Sequence, residues 1–347
     1  MDLVVPLVVG SSIAGGAFVI YSTTMYALDM SPYIYSNTRC SARSGLILNK
    51  QQYDSFIAAS SQKEVLALLE DSYYSYIIEH ASVFRSFSQM LDKDLYDTYQ
   101  WLYKIVPDKI KPLLKAMKLK FEINELKAIL NKVIKNQQPG EIHFIEDEML
   151  KIKLEGVKDF TSFLSVMENS PYAHLFINAS PEDLTSLNNS LDMFYSSTVL
   201  NEIKKCKDEK AAMPFKEYWA ANIDLINLRL VLRKIASGEE DITLLDGGAL
   251  NKNTLLGVSD ITQLDSILSS SVYNPFIESQ DPFKIESGIY TYLKKIASDI
   301  GAKYTIKAGA VVKFIILKEL ETRNLNIINK LKMENYPSEE IEKLIVA

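Results

Sequence analysis

The chain has 347 residues, of which 47% are hydrophobic and 24% charged, and its formal net charge is −6. This length exceeds the ~100–200 residues typical of one domain, and the composition is that of a globular protein with a substantial core. The acidic balance disfavours a nucleic-acid partner, because phosphate binding depends on clustered Lys and Arg. Two cysteines and three scattered histidines exclude a disulfide framework and offer no metal-ligand cluster, so we expect no metal, cofactor or small-molecule substrate.

The first element is an apolar leader, residues 1–32, whose segment 3–28 contains no charged side chain. Twenty-six uncharged residues are enough for a helix to cross a ~30 Å hydrocarbon core. The segment therefore predicts a membrane-anchoring helix, with a buried apolar leader as the alternative. Arg39, Arg43 and Lys50 are the nearest cations, and the positive-inside rule then places the main body in the cytoplasm.

Beyond residue 30 the sequence predicts mainly amphipathic helices. Val65, Leu68 and Leu69 share one helical face at the i, i+3, i+4 spacing. Residues 222–235 carry a similar apolar stripe. No convincing run of period-two strands is present. We therefore predict an all-α fold.

Three signatures recur along the chain in a constant order. The first is an apolar helix face that ends in Ser-x-Tyr, at Tyr74, Tyr172 and Tyr273. The second is a tyrosine on the next predicted helix, at Tyr99, Tyr195 and Tyr292. The third is an acid followed by Asn or Glu three residues later, then Leu and a β-branched residue, and it starts at Glu122, Asp224 and Glu321.

The spacing of the signatures is nearly constant. Successive copies lie 96 to 102 residues apart, and each Ser-x-Tyr tyrosine precedes the next acid by 48, 52 and 48 residues. This pattern predicts three tandem helical repeats, at 33–135, 136–236 and 237–347. Each repeat has an apolar stripe that a single helix cannot bury, so neighbouring repeats must pack together.

The third signature also predicts where its residues lie. The Leu and β-branched positions share one face of the helix and should be in the core. The acid and the Asn have two alternative roles. They could satisfy polar partners on neighbouring helices, or they could bind a partner protein in each repeat.

A search for catalytic motifs finds none. The segment 247–254 superficially resembles a phosphate-binding loop, but Asn251 stands where that loop needs a glycine before Lys252. The lysine-rich stretch 109–120 is predicted to be a solvated surface or, alternatively, a contact with acidic lipid or an acidic partner.

At this level of detail the chain resembles a known family, the C subunit of archaeal-type (A-type/V-type) ATP synthases, which includes the d subunit of vacuolar ATPases. The resemblance covers residues 33–347. It rests on the triplicated signatures, on the Tyr35-x-x-x-Arg39-x-x-x-Arg43 opening and on the segments 227–233 and 318–345. Two positions depart from the family pattern, since Glu125 replaces an Asn and Asn329 replaces an apolar residue.

The resemblance implies a specific architecture and role. Three similar helical domains would form a funnel with pseudo-threefold symmetry on the cytoplasmic side of the cell membrane, peripheral to it or anchored by the leader. The funnel would sit on the rotor ring of proteolipid subunits and receive the central shaft, made of the D and F subunits. Such a protein couples proton- or sodium-driven rotation to ATP synthesis and has no active site of its own, so the chain is expected not to be an enzyme.

Five arginines are candidates for partner contacts, because Arg suits polar interfaces: Arg39, Arg43, Arg229, Arg233 and Arg323. Their alternative role is in surface ion pairs. The leader carries a further hypothesis, that it enters the lipid-filled centre of the rotor ring. The alternative function is a helical-repeat scaffold for protein interactions, unrelated to a rotary motor, for which an open solenoid would be expected.

Overall fold

A computed structural model describes residues 4–70, 72–75, 86–238, 242–277 and 280–347, without the side chains of residues 4–20. Within these ranges all regular secondary structure is helical, which confirms the predicted all-α class. The α-helices are α1 (Val4–Ser44), α2 (Lys50–Ala58), α3 (Gln62–Glu70), α4 (Phe87–Ile105), α5 (Lys111–Ile134), α6 (Glu148–Glu155), α7 (Phe160–Met167), α8 (Leu184–Lys205), α9 (Glu209–Ser237), α10 (Lys252–Leu256), α11 (Ile261–Ser269), α12 (Pro282–Lys303), α13 (Gly309–Met333) and α14 (Ser338–Glu342). Short 3₁₀ helices lie at Asp108–Ile110, Ala173–Leu175, Pro181–Asp183 and Asn274–Phe276.

Helix α1 contains the backbone of most of the apolar leader in one 41-residue helix. Among the residues whose side chains are described, no helix is long and apolar enough to cross a membrane. The predicted anchor, 3–28, lies mostly outside that part of the chain, so anchoring stays a prediction.

Aspartates define where several helices begin. The side chain of Asp159 accepts a hydrogen bond from the backbone of Ser162, and Asp260 does the same for Thr262 and Gln263. Asp147, Asp208 and Asp281 cap three more helices in this way. Each cap satisfies backbone N–H groups that the first helical turn leaves without partners.

Six long helices are connected by their contacts into a closed ring. Its order is α4, α5, α8, α9, α12 and α13, and α13 then packs against α4. Helix α1 lies against α13 and α4. The ring alternates between helices that carry a second-signature tyrosine and helices that carry a signature acid, so it consists of three like pairs: α4–α5, α8–α9 and α12–α13.

The core divides into one central cluster and three outer clusters. The central cluster combines buried residues of all six ring helices and of α1. The outer clusters lie around Leu126, Leu228 and Leu325, which are buried as the third signature predicted. Each outer cluster mixes residues from two of the predicted repeats, as where Leu325 joins residues 48–91. The repeat boundaries at 135/136 and 236/237 stay a prediction.

Three tight turns meet at one end of the ring, which we call the closed end. They connect α4 to α5 (106–110), α8 to α9 (206–208) and α12 to α13 (304–308). Lys307 Nζ lies 3.1 Å from Asp208 Oδ2, and Lys109 Nζ lies 3.9 Å from the same atom. Asp208 therefore connects all three turns.

Helix α1 is attached to the closed end by its middle section. Tyr33 donates a hydrogen bond to Asp208 (3.3 Å), and Asp29 pairs with Lys307. The Asn37 amide donates to the carbonyl of Lys307 at 2.6 Å. Toward its N-terminus α1 continues past these contacts, and the side chains of residues 21–28 are exposed.

Candidate functional site

The Ser-x-Tyr signature forms the same turn three times. Ser72 Oγ donates to the carbonyl of Leu69 at 2.7 Å and accepts from the backbone N–H of Tyr74 at 3.1 Å. Ser170 and Ser271 repeat both hydrogen bonds within 0.1 Å. The serine side chain thus adds a second hydrogen bond to a carbonyl at the end of a helix and fixes the turn that leads to the tyrosine, and all three tyrosines are buried.

Each buried tyrosine donates its hydroxyl to one signature acid, and we call these pairs junctions. In the first junction Tyr172 bonds to Glu122 at 2.7 Å, and in the second Tyr273 bonds to Asp224 at 2.7 Å. In both, the acid precedes the tyrosine by about 50 residues, at separations of 50 and 49. In the third, the closing junction, Tyr74 bonds to Glu321 at 2.5 Å across 247 residues of chain.

Every junction acid lies where its helix passes from the central cluster to an outer cluster. Asp224, for example, separates Ile223 of the central cluster from Leu225 of an outer one. Phe121 and Ile123 flank Glu122 in the same way, and Leu320 and Leu325 flank Glu321. The junctions are therefore polar contacts at the borders between the shared core and the three outer cores.

The residue three positions after each acid binds the backbone of a passing segment. Asn227 donates to the carbonyl of Leu245 (2.9 Å) and accepts from its N–H (2.8 Å). Asn324 makes the same pair of bonds with Val346. Of the two roles considered for these residues, the observed contacts confirm the first, which is to satisfy polar partners between elements.

Glu125, which replaces the expected Asn, binds a corresponding segment with different chemistry. Its carboxylate accepts from the N–H groups of His143 (2.7 Å), Phe144 (2.6 Å) and Ile145 (3.1 Å). A carboxylate can only accept, whereas an amide also donates. The substitution therefore trades one donated bond for additional accepted bonds and keeps the segment in place.

The glycine pair that superficially resembled a phosphate loop has a structural role. Gly247 adopts φ +107°, and a Cβ on Gly248 would lie 2.0 Å from Asp224 Oδ1. This close approach allows the N–H groups of Ala249 and Leu250 to donate to the Asp224 carboxylate at 2.8 Å and 3.1 Å. The glycines thus bring the backbone to the second junction.

Burial raises the pKa of Glu122 and of Asp224, although the hydrogen bonds from Tyr172 and Tyr273 oppose the shift. The closing junction is built differently. Lys318 Nζ lies 2.8 Å from Glu321 Oε2, 2.7 Å from the Tyr74 hydroxyl and 2.7 Å from Asp94 Oδ2. Burial lowers the pKa of Lys318, but the two carboxylates outweigh it and the net shift is upward. Leu119 and Ala221 occupy the positions equivalent to Lys318 on α5 and α9.

A second polar network connects four ring helices at the centre. Glu319 on α13 accepts from Lys120 of α5 (2.5 Å), Tyr218 of α9 (2.5 Å) and Tyr99 of α4. Burial raises the pKa of Glu319, but Lys120 and the hydroxyl donors outweigh it, so the pKa lies below its ordinary value. This carboxylate remains charged at neutral pH and orients three neighbouring helices.

A cavity of about 270 Å³ lies beside this network, between α5, α8, α9, α12 and α13. Two of the five candidate arginines, Arg229 and Arg323, line it. Arg229 donates to Glu286 at 2.5 Å and to the Tyr290 hydroxyl at 2.8 Å, while the Arg323 guanidinium lies 3.9 Å from the centre of the Tyr290 ring. Tyr290 therefore brings these two arginines together at the cavity, with Arg229 exposed to solvent.

The other three candidates lie elsewhere. Arg43 stacks on Trp101, with its guanidinium carbon 3.7 Å from the ring centre. Arg233 is exposed and lines a separate cavity of about 500 Å³ between α8 and α9. Arg39 is exposed on α1. The five arginines do not form one site, and their role in partner contacts stays a prediction.

Sequence reasoning missed the central network and the closing-junction lysine. One signal was present, because Lys318 and Glu319 interrupt the apolar stretch 311–320. Charged residues within such a stretch require buried partners, but the partners Lys120, Tyr218 and Asp94 belong to distant helices.

Comparison with known proteins identifies one family along most of the chain. The family model described as "ATP synthase (C/AC39) subunit" matches residues 36–344. A relative from Methanocaldococcus jannaschii, the C subunit of its A-type ATP synthase, is 26% identical and aligns with 98% of this chain and 93% of its own length. Relatives of the same name from Methanobrevibacter smithii and Thermococcus kodakarensis are 25% and 23% identical and align with 95% and 91% of this chain, and with 92% and 90% of their own lengths.

The family model thus spans most of the chain, and the curated relatives align along nearly their full lengths. The resemblance inferred from the three signatures is confirmed, and the chain belongs to the ATP synthase (C/AC39) subunit family.

Proposed function

We propose that this chain is the non-catalytic central-stalk subunit of an archaeal-type rotary ATP synthase, and that it couples the membrane rotor ring to the central shaft. The shaft, made of the D and F subunits, would enter the ring of helices from the side opposite the closed end. The proteolipid ring would lie at the closed end, on the cytoplasmic side of the membrane. Rotation driven by protons or sodium would then pass through this chain to the shaft.

The closed helical ring carries this proposal. Three like helix pairs form the ring, five of its six helices line a cavity, and the Tyr74–Glu321 bond connects the first and last repeats. A body that transmits torque must resist shear between its parts. A closed ring resists shear better than an open row of repeats, because each helix pair contacts a neighbour on both sides. The interaction scaffold considered from the sequence would be expected as an open solenoid instead.

The polar networks support the same role. Glu319 and the closing junction connect elements that lie far apart in sequence. Buried hydrogen-bonded groups specify one arrangement of packed helices, because any shift leaves a buried polar atom without a partner. Rigid packing is what a mechanical coupler needs.

Affinity purification from native membranes tests the coupling role. A tagged chain should recover the proteolipid ring and the D and F shaft subunits together. Recovery of neither would refute the proposal. A paired Arg229→Ala, Arg323→Ala variant should lower the yield of shaft subunits if these cavity arginines contact them, whereas Lys153→Ala, Lys158→Ala, which removes the same charge from exposed positions, serves as the matched control.

The leader extends the proposal. Helix α1 leaves the closed end and continues for about 25 residues, or about 38 Å at 1.5 Å per residue. We propose that this part enters the centre of the rotor ring and holds the protein there as it turns. Alkaline carbonate extraction of membranes tests it. The full chain should resist extraction and a chain lacking residues 1–28 should be released, while equal release of both would contradict anchoring.

A further inference from the structure

The closed end carries an excess of positive charge that the junctions and the cavity do not explain. Nine lysines lie in the segments 104–111, 202–210 and 299–307, against six carboxylates when Asp29 of α1 is included. The whole chain, in contrast, has a net charge of −6. The three turns of the closed end bring these segments together, through the contacts of Asp208 with Lys109 and Lys307.

Several of these lysines are available for a partner. Lys104, Lys204, Lys207 and Lys210 are exposed, and among the described residues no carboxylate lies within 4.0 Å of their ammonium groups. The nearby carboxylates are mostly engaged, since Asp108 pairs with Lys111 at 2.6 Å and Glu202 pairs with Lys205 at 2.8 Å. Exposed ammonium groups on long flexible side chains suit anionic groups whose positions are not fixed.

The second observation is the course of α1 through this end. Arg43 lies beside Trp101, and the N–H of Leu48 donates to Glu321, so the C-terminal end of α1 leads to the closing junction. The contact between Asp29 and Lys307 is already at the closed end. Further toward the N-terminus, Tyr21, Tyr26 and Leu28 are 54–64% exposed, and residues 3–20 before them are uncharged.

These features have the order expected at a membrane interface. Along α1, an uncharged segment and then exposed tyrosines precede Asp29, where the helix meets the lysine-bearing turns of the closed end. Tyrosines are enriched at the level of the lipid headgroups, and lysines just cytoplasmic of an apolar helix attract acidic lipids. We propose that the closed-end lysines bind the headgroups of acidic phospholipids around the exit of α1.

This inference deepens the proposed function, because it identifies what the membrane-facing end contacts besides protein. The test uses the full chain and vesicles of phosphatidylcholine with or without phosphatidylglycerol, and lipid titration gives a partition coefficient for each. The leader contributes to both coefficients, so their ratio isolates the effect of lipid charge. The vesicles contain no rotor protein, so failure here is distinguishable from failure to co-purify with the rotor.

The variant Lys204→Gln, Lys207→Gln, Lys210→Gln removes three unpaired lysines at the closed end. Its matched control, Lys135→Gln, Lys153→Gln, Lys158→Gln, removes the same charge from exposed positions near the first junction's outer cluster. Each lysine near an anionic surface changes affinity several-fold, so the closed-end variant should lose about tenfold or more in the ratio. The control variant should keep the wild-type ratio of partition coefficients. High salt should abolish the difference between the closed-end variant and the wild type.

Three outcomes would overturn the proposal. One is a wild-type ratio near one, which would mean that acidic lipid is not recognised. Another is an equal loss in the closed-end variant and its control, which would indicate non-specific attraction. The third, an unchanged ratio combined with reduced recovery of ring subunits from native membranes, would assign the lysines to an acidic protein surface instead. Thermal unfolding by circular dichroism checks that both variants remain folded.

Discussion

The first and second junctions differ from the closing junction in how the chain reaches them. Glu122 and Asp224 meet tyrosines that follow within 50 residues, whereas Glu321 meets Tyr74 across 247 residues. Closing a loop of that length costs about 1.4 kcal/mol more in chain entropy than closing one of 50. The closing junction also contains Lys318 and Asp94 in addition to the tyrosine and the acid. The tyrosine–acid hydrogen bond is thus short-range in sequence at two junctions and long-range at the third. Only the long-range junction contains a buried ion network.

The largest expected effect comes from removing the cation that distinguishes the closing junction. Lys318→Met leaves the carboxylates of Asp94 and Glu321 buried without their cation, which should lower the free energy of unfolding by roughly 3–5 kcal/mol. Urea denaturation at neutral pH measures it. Lys318→Met combined with Asp94→Asn leaves a single acid beside a tyrosine, as in the other junctions, and should recover at least half of the loss. If the double variant is as unstable as the single one, the extra charges do not explain the difference.

The next prediction concerns the second junction. Gly248→Ala places a Cβ against Asp224 and forces the backbone of residues 248–250 away from the carboxylate. We expect a loss of roughly 2–3 kcal/mol. Gly257→Ala is the matched control, because the nearest atom to its Cβ would be 3.5 Å away, and it should be close to neutral. Thermal and urea unfolding compare the two. If the two variants are equally stable, the close approach of the Gly248 backbone to Asp224 is not required for stability.

Removal of the tyrosine hydroxyls compares all three junctions directly. Tyr172→Phe and Tyr273→Phe each delete one donor to a buried carboxylate and should cost about 1 kcal/mol. Tyr74→Phe deletes a donor to Glu321 and an acceptor for Lys318, so we expect roughly 2 kcal/mol. The three unfolding free energies, measured under one condition, rank the junctions. The same loss at all three would mean that Lys318 does not depend on Tyr74.

The smallest expected effect is a difference in pH dependence. Because the pKa of Asp224 is raised in the folded state, the stability that Asp224 adds is complete at low pH and is lost as the pH rises above about 4. Because the pKa of Glu319 is lowered in the folded state, the stability that Glu319 adds is present above pH ~4.5 and is lost as the pH falls. The destabilisation caused by Asp224→Asn should therefore decrease from pH 4 to pH 7, whereas that caused by Glu319→Gln should increase. Denaturation at both pH values checks the signs, and parallel slopes would contradict the assignment.

The sequence identified the residues of the junctions but not which of them pair. Spacing located Tyr74, Tyr172 and Tyr273 and the three acids, and periodicity placed Leu126, Leu228 and Leu325 in the core. Counting forward from each tyrosine to the next acid suggests that each repeat is complete in itself. In the structure, each acid instead accepts a hydrogen bond from the tyrosine that follows it in the chain. No signature tyrosine follows Glu321, so Glu321 pairs with Tyr74. A one-dimensional count cannot distinguish these two orders, because both give intervals near 50.

The central network was beyond sequence reasoning for a related reason. Tyr99 belongs to the second signature, but its partners Lys120, Tyr218 and Glu319 belong to none and are separated by about 100 residues each. Their meeting depends on the angular position of each residue around its helix within the closed ring. The arginines show the same limit, since Arg229 and Arg233 are one helical turn apart yet line different cavities.

The contact between the first and last repeats also affects how the chain folds during synthesis. A ribosome releases α2 and α3 early, yet their outer cluster includes Leu325 and Ile341, and Ser338 donates to the carbonyl of Ile57. The apolar surface of α2 and α3 must therefore wait for residues 325–341 before it is covered. A product that ends prematurely, after α12 for example, lacks the helix that closes the ring and exposes the apolar face of α3. Cellular quality control can recognise such a face, so only a completely translated chain would be available for assembly.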